Sequence, residues 1–208
     1  MSGTVISGFG RGSKELGIPT ANLPVDEAST PWISTTPSGV YFGWASLNLP
    51  PTHPDYHLPP STSTATTTRR GANGFTVYPM VMSIGYNPFY KNTVRSAEVH
   101  VLHAFGADFY GVEMRLLITG FIREEKDYSG LEALIADINF DCDVAKRSLA
   151  REGWAPREVD VEVDVPGEEG GGGGRKVVLL RGQLEAAWLI RPSEQQQQSS
   201  QGEAAEGK

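Results

Sequence analysis

Three short stretches hold the residues whose types could do chemistry. The first, "GFGRGSK" from Gly8 to Lys14, sets Gly8, Gly10 and Gly12 ahead of Ser13 and Lys14. Glycines let a backbone approach a polyphosphate and offer successive N–H donors, while Arg11 and Lys14 supply positive charge. The spacing fits neither Walker A nor the dinucleotide fingerprint, because Ser13 stands where each needs a glycine. The plainer alternative is a glycine-rich turn between strands.

The second stretch, "PTAN", follows at Pro19 to Asn22. Proline fixes its own backbone and pushes Ile18 toward an extended conformation. In an extended chain residues two apart share a face, so Thr20 and Asn22 project together and Ala21 points away. A hydroxyl and an amide carbonyl are hard oxygen donors of the kind Mg²⁺ accepts when phosphates and water complete its shell. The alternative is an Asx-type turn in which both side chains cap backbone groups.

The third stretch is "SAEVHVLHAF". Glu98 and His100 share one face of a strand and His103 shares the other with Val99 and Val101, which argues against a histidine metal pair. A carboxylate on a short strand beside a cleft is a candidate general base; otherwise it is an exposed strand residue. The preceding "GYNPFYKNTVR" adds Lys91, Arg95 and several aromatics, suited to holding an anion beside a flat ring.

These residues need a scaffold. Gly39–Leu47, Phe75–Ile84, Ala97–Phe105 and Tyr110–Ile122 read as strands, rich in Val, Tyr, Phe and Ile and bounded by turn residues. No helix separates one from the next, which predicts an antiparallel sheet, and closure into a barrel removes its edges. A helix is expected from Ser129, where "SGLE" reads as a capping box. Leu131, Leu134, Ile135, Ile138, Cys142, Ala145 and Leu149 form its apolar stripe, with Asp137, Asp141, Lys146 and Arg147 on the wet side. Farther on, the alternating "EVDVEVDV" (Glu158 to Val165) predicts a strand with one solvated acidic face, a metal-binding acidic ladder being the alternative. "KVVLL" after the glycine run could pair with it as a hairpin.

The chain has 208 residues, room for one domain with a proper core. Its hydrophobic content of 39% is low enough to suggest that part of the length does not pack. Leu49–Gly74, with "PPSTSTATTT" at its centre, and the Gln/Ser-rich 193–208 account for that shortfall. The expected division is therefore a domain over 1–192, with an insert at 49–74 and a Gly-rich loop at 167–175, and a tail over 193–208. A net charge of −7 argues against a nucleic-acid partner. One cysteine, Cys142, excludes an internal disulfide and fits a reducing compartment. No run approaches the ~20 apolar residues of a membrane span. A cytoplasmic monomer is expected, with mitochondrial association as a variant.

Taken together, "GFGRGSKELGIPTAN", "SIGYNPFYKNTVRSAEVH" and "FYGVEMRLLITGFIREEKDYSGLEALIADI" resemble the riboflavin kinase (flavokinase) family in a fungal form. The resemblance runs from about Ser2 to Arg147 outside the insert. It implies a six-stranded antiparallel Greek-key β-barrel with a C-terminal helix, and transfer of the terminal phosphate of ATP to the 5′-hydroxyl of riboflavin, giving FMN and ADP. It implies that Gly8 and Lys14 belong to the ATP-phosphate loop and that Thr20 and Asn22 hold Mg²⁺, with Zn²⁺ or Mn²⁺ as variants. Thr20 also touches ATP, Glu98 is the base beside the flavin, and Val101, His103 and Tyr110 line the ATP side. Arg123, Lys126 and Tyr128 lie on the flavin side. The family's Arg-Pro-Glu-Lys is "REEK" here, a less rigid turn. The insert is expected to project away from the site. A bifunctional FAD synthetase would need a His-x-Gly-His nucleotidyltransferase domain, which this sequence lacks. The rival of another class is a non-catalytic flavin- or nucleotide-binding barrel, against which Glu98 and "PTAN" both speak.

Overall fold

The computed structural model describes residues 1–7, 18–25, 28, 30–56, 75–86, 95–157, 161–165, 174–178 and 182–190. Its centre is a six-stranded antiparallel sheet built from β1 (Ser2–Thr4), β2 (Ala21–Leu23), β3 (Gly39–Leu47), β4 (Thr76–Tyr86), β5 (Arg95–Val101) and β6 (Glu113–Arg123), in the order β1-β6-β3-β4-β5-β2. The stretch β3-β4-β5 is a meander, and β6 returns to lie beside β3, which is a Greek key. The sheet curls until its two edges meet at an isolated bridge between Ile6 and Asn22, where Ile6 N–H donates to the Asn22 carbonyl at 2.9 Å.

Strand β3 shows why the sequence folds this way. Tyr41, Ala45 and Leu47 enter the barrel interior, together with Met80, Met82, Ile84, Val99 and Met114. Val40, Phe42 and Trp44 form a second core on the outer surface with Val77, Val81, Cys142, Ala145 and Leu149. A strand covered on both faces must be apolar throughout, which explains the unbroken "GVYFGWASL" where a half-exposed strand would alternate. Register shifts between β3 and β6 near Tyr41 and Gly43 add the local coiling that helps a short sheet close.

The outer core is roofed by α1 (Leu131–Leu149). Here two expectations are corrected. The helix is capped at Gly130 with no side-chain cap bond, so Ser129 lies one residue too early to close a capping box. Asp141, assigned to the wet side, is 1% exposed, because steps of three and four from Ile138 to Ala145 place it on the apolar stripe. Two strand ends also differ. β5 stops at Val101, after which His103 N–H turns back to the Val101 carbonyl at 2.8 Å. β6 begins only at Glu113, so Tyr110 sits in the preceding turn, beside Gly111 at φ 78°.

The segments after α1 are sewn to the same outer face. Trp44 Nε1–H donates to the Trp154 carbonyl at 2.8 Å, and Ser46 Oγ–H to the Leu189 carbonyl at 2.7 Å. The expected hairpin forms as β7 (Val161–Val165) paired antiparallel with β8 (Gly174–Val178), apart from the barrel sheet. The faces taken by its acidic residues lie outside the described side chains.

The insert departs from its expected character at its beginning. Leu49 is part of the barrel core, and His53 and Asp55 are each 7% exposed, His53 just before and Asp55 within a 3₁₀ turn over Pro54–Tyr56. Residues 57–74 and 191–208 lie outside the described residues.

Candidate active site

The pleat builds the first part of the site. In register, Glu98 on β5 stands opposite Asn22 on β2 and opposite Ser83 on β4. Its neighbours Ala97 and Val99 fill the barrel interior, which directs Glu98 to the outer surface. Ala21 and Leu23 are likewise interior, so Asn22 faces outward with Glu98. Across an antiparallel pair, directly opposed side chains start ~5 Å apart at Cβ. The structure therefore brings the predicted base and one predicted metal donor side by side.

Asn22 is 5% exposed, and its Oδ1 finds no hydrogen-bond partner among the described residues. A buried amide oxygen without a partner is costly, roughly 1–3 kcal/mol, and invites a ligand that coordinates oxygen. Asn22 Oδ1 thus fits a hard cation. The turn that carries it is pinned from β5: the His100 Nδ1–H donates to the Pro19 carbonyl at 2.8 Å. Burial lowers the His100 pKa, with Lys146 adding to the effect and the Pro19 bond opposing it. Gly8 and Lys14, with the rest of 8–17, lie outside the described residues.

The second part lies where β6 runs into α1. Arg123 donates through Nε and Nη2 to Asp141 Oδ1 and Oδ2 at 3.0 and 2.7 Å, a bidentate pair that accounts for the buried acid on the helix stripe. Lys126 Nζ and Tyr128 Oη both donate to Asp137 Oδ2, at 2.8 and 2.9 Å. These two bonds, that from Lys126 first, hold the Asp137 carboxyl below the usual range. All three flavin-side residues of the sequence reading are thus gathered on acids of one helix. Between them, Glu125 folds back over β4: a Cβ on Gly85 would collide with its carboxylate. Burial raises the Glu125 pKa; Arg95 opposes, nearby Glu98 adds to the rise, and Arg123 opposes.

The third part is the loop between β5 and β6. The His103 ring lies 5.0 Å from that of Tyr78 and 4.7 Å from that of Phe105, and its Nε2 is buried with no partner among the described residues. Burial lowers its pKa against the opposing pull of Asp55. Tyr110 is 53% exposed at the far end of this loop. Val101 is different: its side chain belongs to the barrel core, so only its backbone could meet a ligand.

Three buried side-chain atoms lack a partner among the described residues: Asn22 Oδ1, Arg95 Nε and His103 Nε2. All three belong to segments that the sequence singles out. Sequence reasoning missed Asp137, Asp141, Glu125 and the His53–Asp55 turn. Asp141 had a legible signal, an acid on an apolar stripe, which demands a buried cation partner. Cys142 is no nucleophile here, since burial pushes its thiol up to about 11.

A family model for flavokinase, described as riboflavin kinase, matches residues 1–149. Riboflavin kinase of Chaetomium globosum is 73% identical over 211 residues, spanning 93% of this chain and 87% of that protein. Riboflavin kinase of Neurospora crassa is 54% identical over 226 residues, spanning 92% and 89%. Among solved structures, riboflavin kinase from Trypanosoma brucei matches with a TM-score of 0.50 at 24% identity, over 72% of this chain and 78% of that one. At that identity the structural match speaks to the fold alone.

Proposed function

This chain belongs to the riboflavin kinase family, and from that premise we propose that it transfers the γ-phosphoryl group of ATP to the 5′-hydroxyl of riboflavin, giving FMN and ADP. The observation that carries this reading is the Asn22–Glu98 pair, a buried oxygen donor with no partner among the described residues, set directly opposite a carboxylate. The reaction forms a bond from the ribityl 5′ oxygen to the γ-phosphorus and breaks the bond from that phosphorus to the bridging oxygen of ADP. Glu98 accepts the proton that the hydroxyl loses, a role typically worth 10²–10⁴-fold in rate. Phosphoryl transfer asks a protein mainly for alignment and charge neutralisation. Thr20 and Asn22 would hold Mg²⁺, with Zn²⁺ or Mn²⁺ as variants, and the ion when bound supplies positive charge against the phosphates.

Gly8 and Lys14 are assigned to the phosphates by resemblance. Thr20, Val101, His103 and Tyr110 complete the nucleotide side, and Arg123, Lys126 and Tyr128 the flavin side. Asp141 and Asp137 hold these last three in place. The test is conversion of riboflavin to FMN by the purified chain, with ATP and Mg²⁺ each omitted in turn. FMN formed only with both present supports the reading. Riboflavin binding without turnover would instead point to a non-catalytic flavin-binding barrel.

A further inference from the structure

The turn from His53 to Tyr56 has no part in the chemistry above, yet it carries two buried polar side chains. Asp55 Oδ2 accepts the Gly106 N–H at 2.8 Å. His53 Nδ1 accepts the Asp55 N–H at 3.2 Å, which leaves Nε2 as the protonated nitrogen, 3.2 Å from the Ala107 carbonyl. The turn therefore grips two successive residues at the tip of the β5–β6 loop, Gly106 by its N–H and Ala107 by its C=O. Packing reinforces the grip. The His53 ring meets the edge of Phe105 at 6.3 Å, and Phe105 in turn touches His103 and Phe109. A Cβ at Gly106 would come within 3.2 Å of the Pro54 ring, so a glycine lets the loop lie this close.

We propose that His53 and Asp55 are positioning residues for the nucleotide, clamping the loop that carries His103 and Tyr110 in its binding conformation before ATP arrives. The inference rests on the assignment of that loop to the nucleotide side. Its physical basis is preorganisation: a loop ordered in the free protein loses less entropy on binding, so the clamp acts on affinity rather than on the chemical step. Asp55 suits this task because a buried carboxylate must be held by donors, and its bond to a backbone N–H is charge-assisted. The clamp comes from the start of the Pro/Ser/Thr-rich insert, a segment whose composition promised no contact with the site.

The experiment is steady-state kinetics on the full chain, titrating ATP and riboflavin separately. Asp55→Ala is expected to raise the KM for ATP about tenfold, the lower end for losing a hydrogen bond to a charged acceptor. The kcat and the KM for riboflavin should stay within about twofold. Asp55→Asn should restore most of the loss, because its amide oxygen can still accept from Gly106. His53→Phe keeps the ring against Phe105 but removes the bond to Ala107, and should raise the ATP KM about threefold. If Asp55→Ala fails to fold, the His53→Phe result decides the matter. A parallel rise in both KM values, or a fall in Tm with no change in ATP KM, would reduce the turn to a structural role and overturn the proposal. His103→Ala separates the two layers of the argument. A raised ATP KM there, with none in the clamp variants, rejects the clamp alone, whereas an unchanged value rejects the nucleotide-side assignment beneath it.

Discussion

The β2–β5 seam and the β6–α1 corner carry opposite halves of the proposed site, and they hold their polar groups in opposite states. At the seam, Asn22 presents a buried oxygen with no partner among the described residues. At the corner, the cations are already matched: Arg123 to Asp141 by two bonds, and Lys126 with Tyr128 to Asp137. A ligand at the seam completes an unfinished shell. A ligand at the corner must exchange partners. Exposure decides which of the corner pairs can be exchanged. Lys126 and Asp137 are solvent-accessible, and water screens such pairs strongly, so an incoming anion can displace Asp137 with little loss. Arg123–Asp141 is largely buried and works as a fixed strut beneath them.

The contrast can be broken first at the seam. Glu98→Gln retains shape and hydrogen bonding but removes the proton acceptor, so kcat should fall at least ~10²-fold while riboflavin binding is kept. Turnover near the parent value would take the base role away from Glu98. At the corner, Asp141→Ala strands a guanidinium beside the helix and should destabilise the fold by about 3 kcal/mol, read by denaturant titration. A loss below ~0.5 kcal/mol would mean that Arg123 is not a strut.

Asn22→Leu should separate function from stability. The half-saturating metal concentration should rise about tenfold, while Tm holds or increases, since a buried acceptor with no partner among the described residues is replaced by an apolar group. A fall in Tm without a change in metal dependence would show that Asn22 serves only the turn. The smallest effect belongs to Asp137. Its folded carboxyl titrates below the ordinary aspartate value of ~3.9, so its contribution is present above that value and is lost as pH falls through the lower folded one. Asp137→Asn should flatten that acid limb of the stability curve and alter FMN release by no more than a fewfold. An unchanged acid limb would remove Asp137 from the account.

Much of this was legible because it is written in periodicity. The apolar run of β3, the alternation that turns Glu98 away from Val99, and the 3–4 spacing of the helix stripe each follow from side-chain direction along one element. What escaped depends on contacts between elements. Asp141 was read by residue type, although its position on the stripe already implied burial. The three-residue β1 and β2 are too short for any pattern, and only their pairing with distant strands defines them. The His53–Asp55 turn was hidden by averaging composition across Leu49–Gly74, so an excision beginning at Pro50 would remove a packed turn along with the low-complexity centre.

The bridge between Ile6 and Asn22 has a consequence for how the molecule breathes. Where the two sheet edges meet, Asn22 supplies the carbonyl that takes the Ile6 N–H, and its own side chain faces the proposed ion. A barrel closure resting on the Ile6–Asn22 bridge should open more often than the continuous ladders of β3, β4 and β6, and the Ile6 amide should exchange with solvent correspondingly fast. Nucleotide and metal gathered on the Asn22 side chain would tie down the same residue whose backbone closes the barrel. At a hundredfold excess over Kd, a ligand bound only by the native form adds about 2.7 kcal/mol, and part of that should appear as slower exchange at Ile6. The substrates then act as a latch, and the barrel is most firmly shut while it is at work.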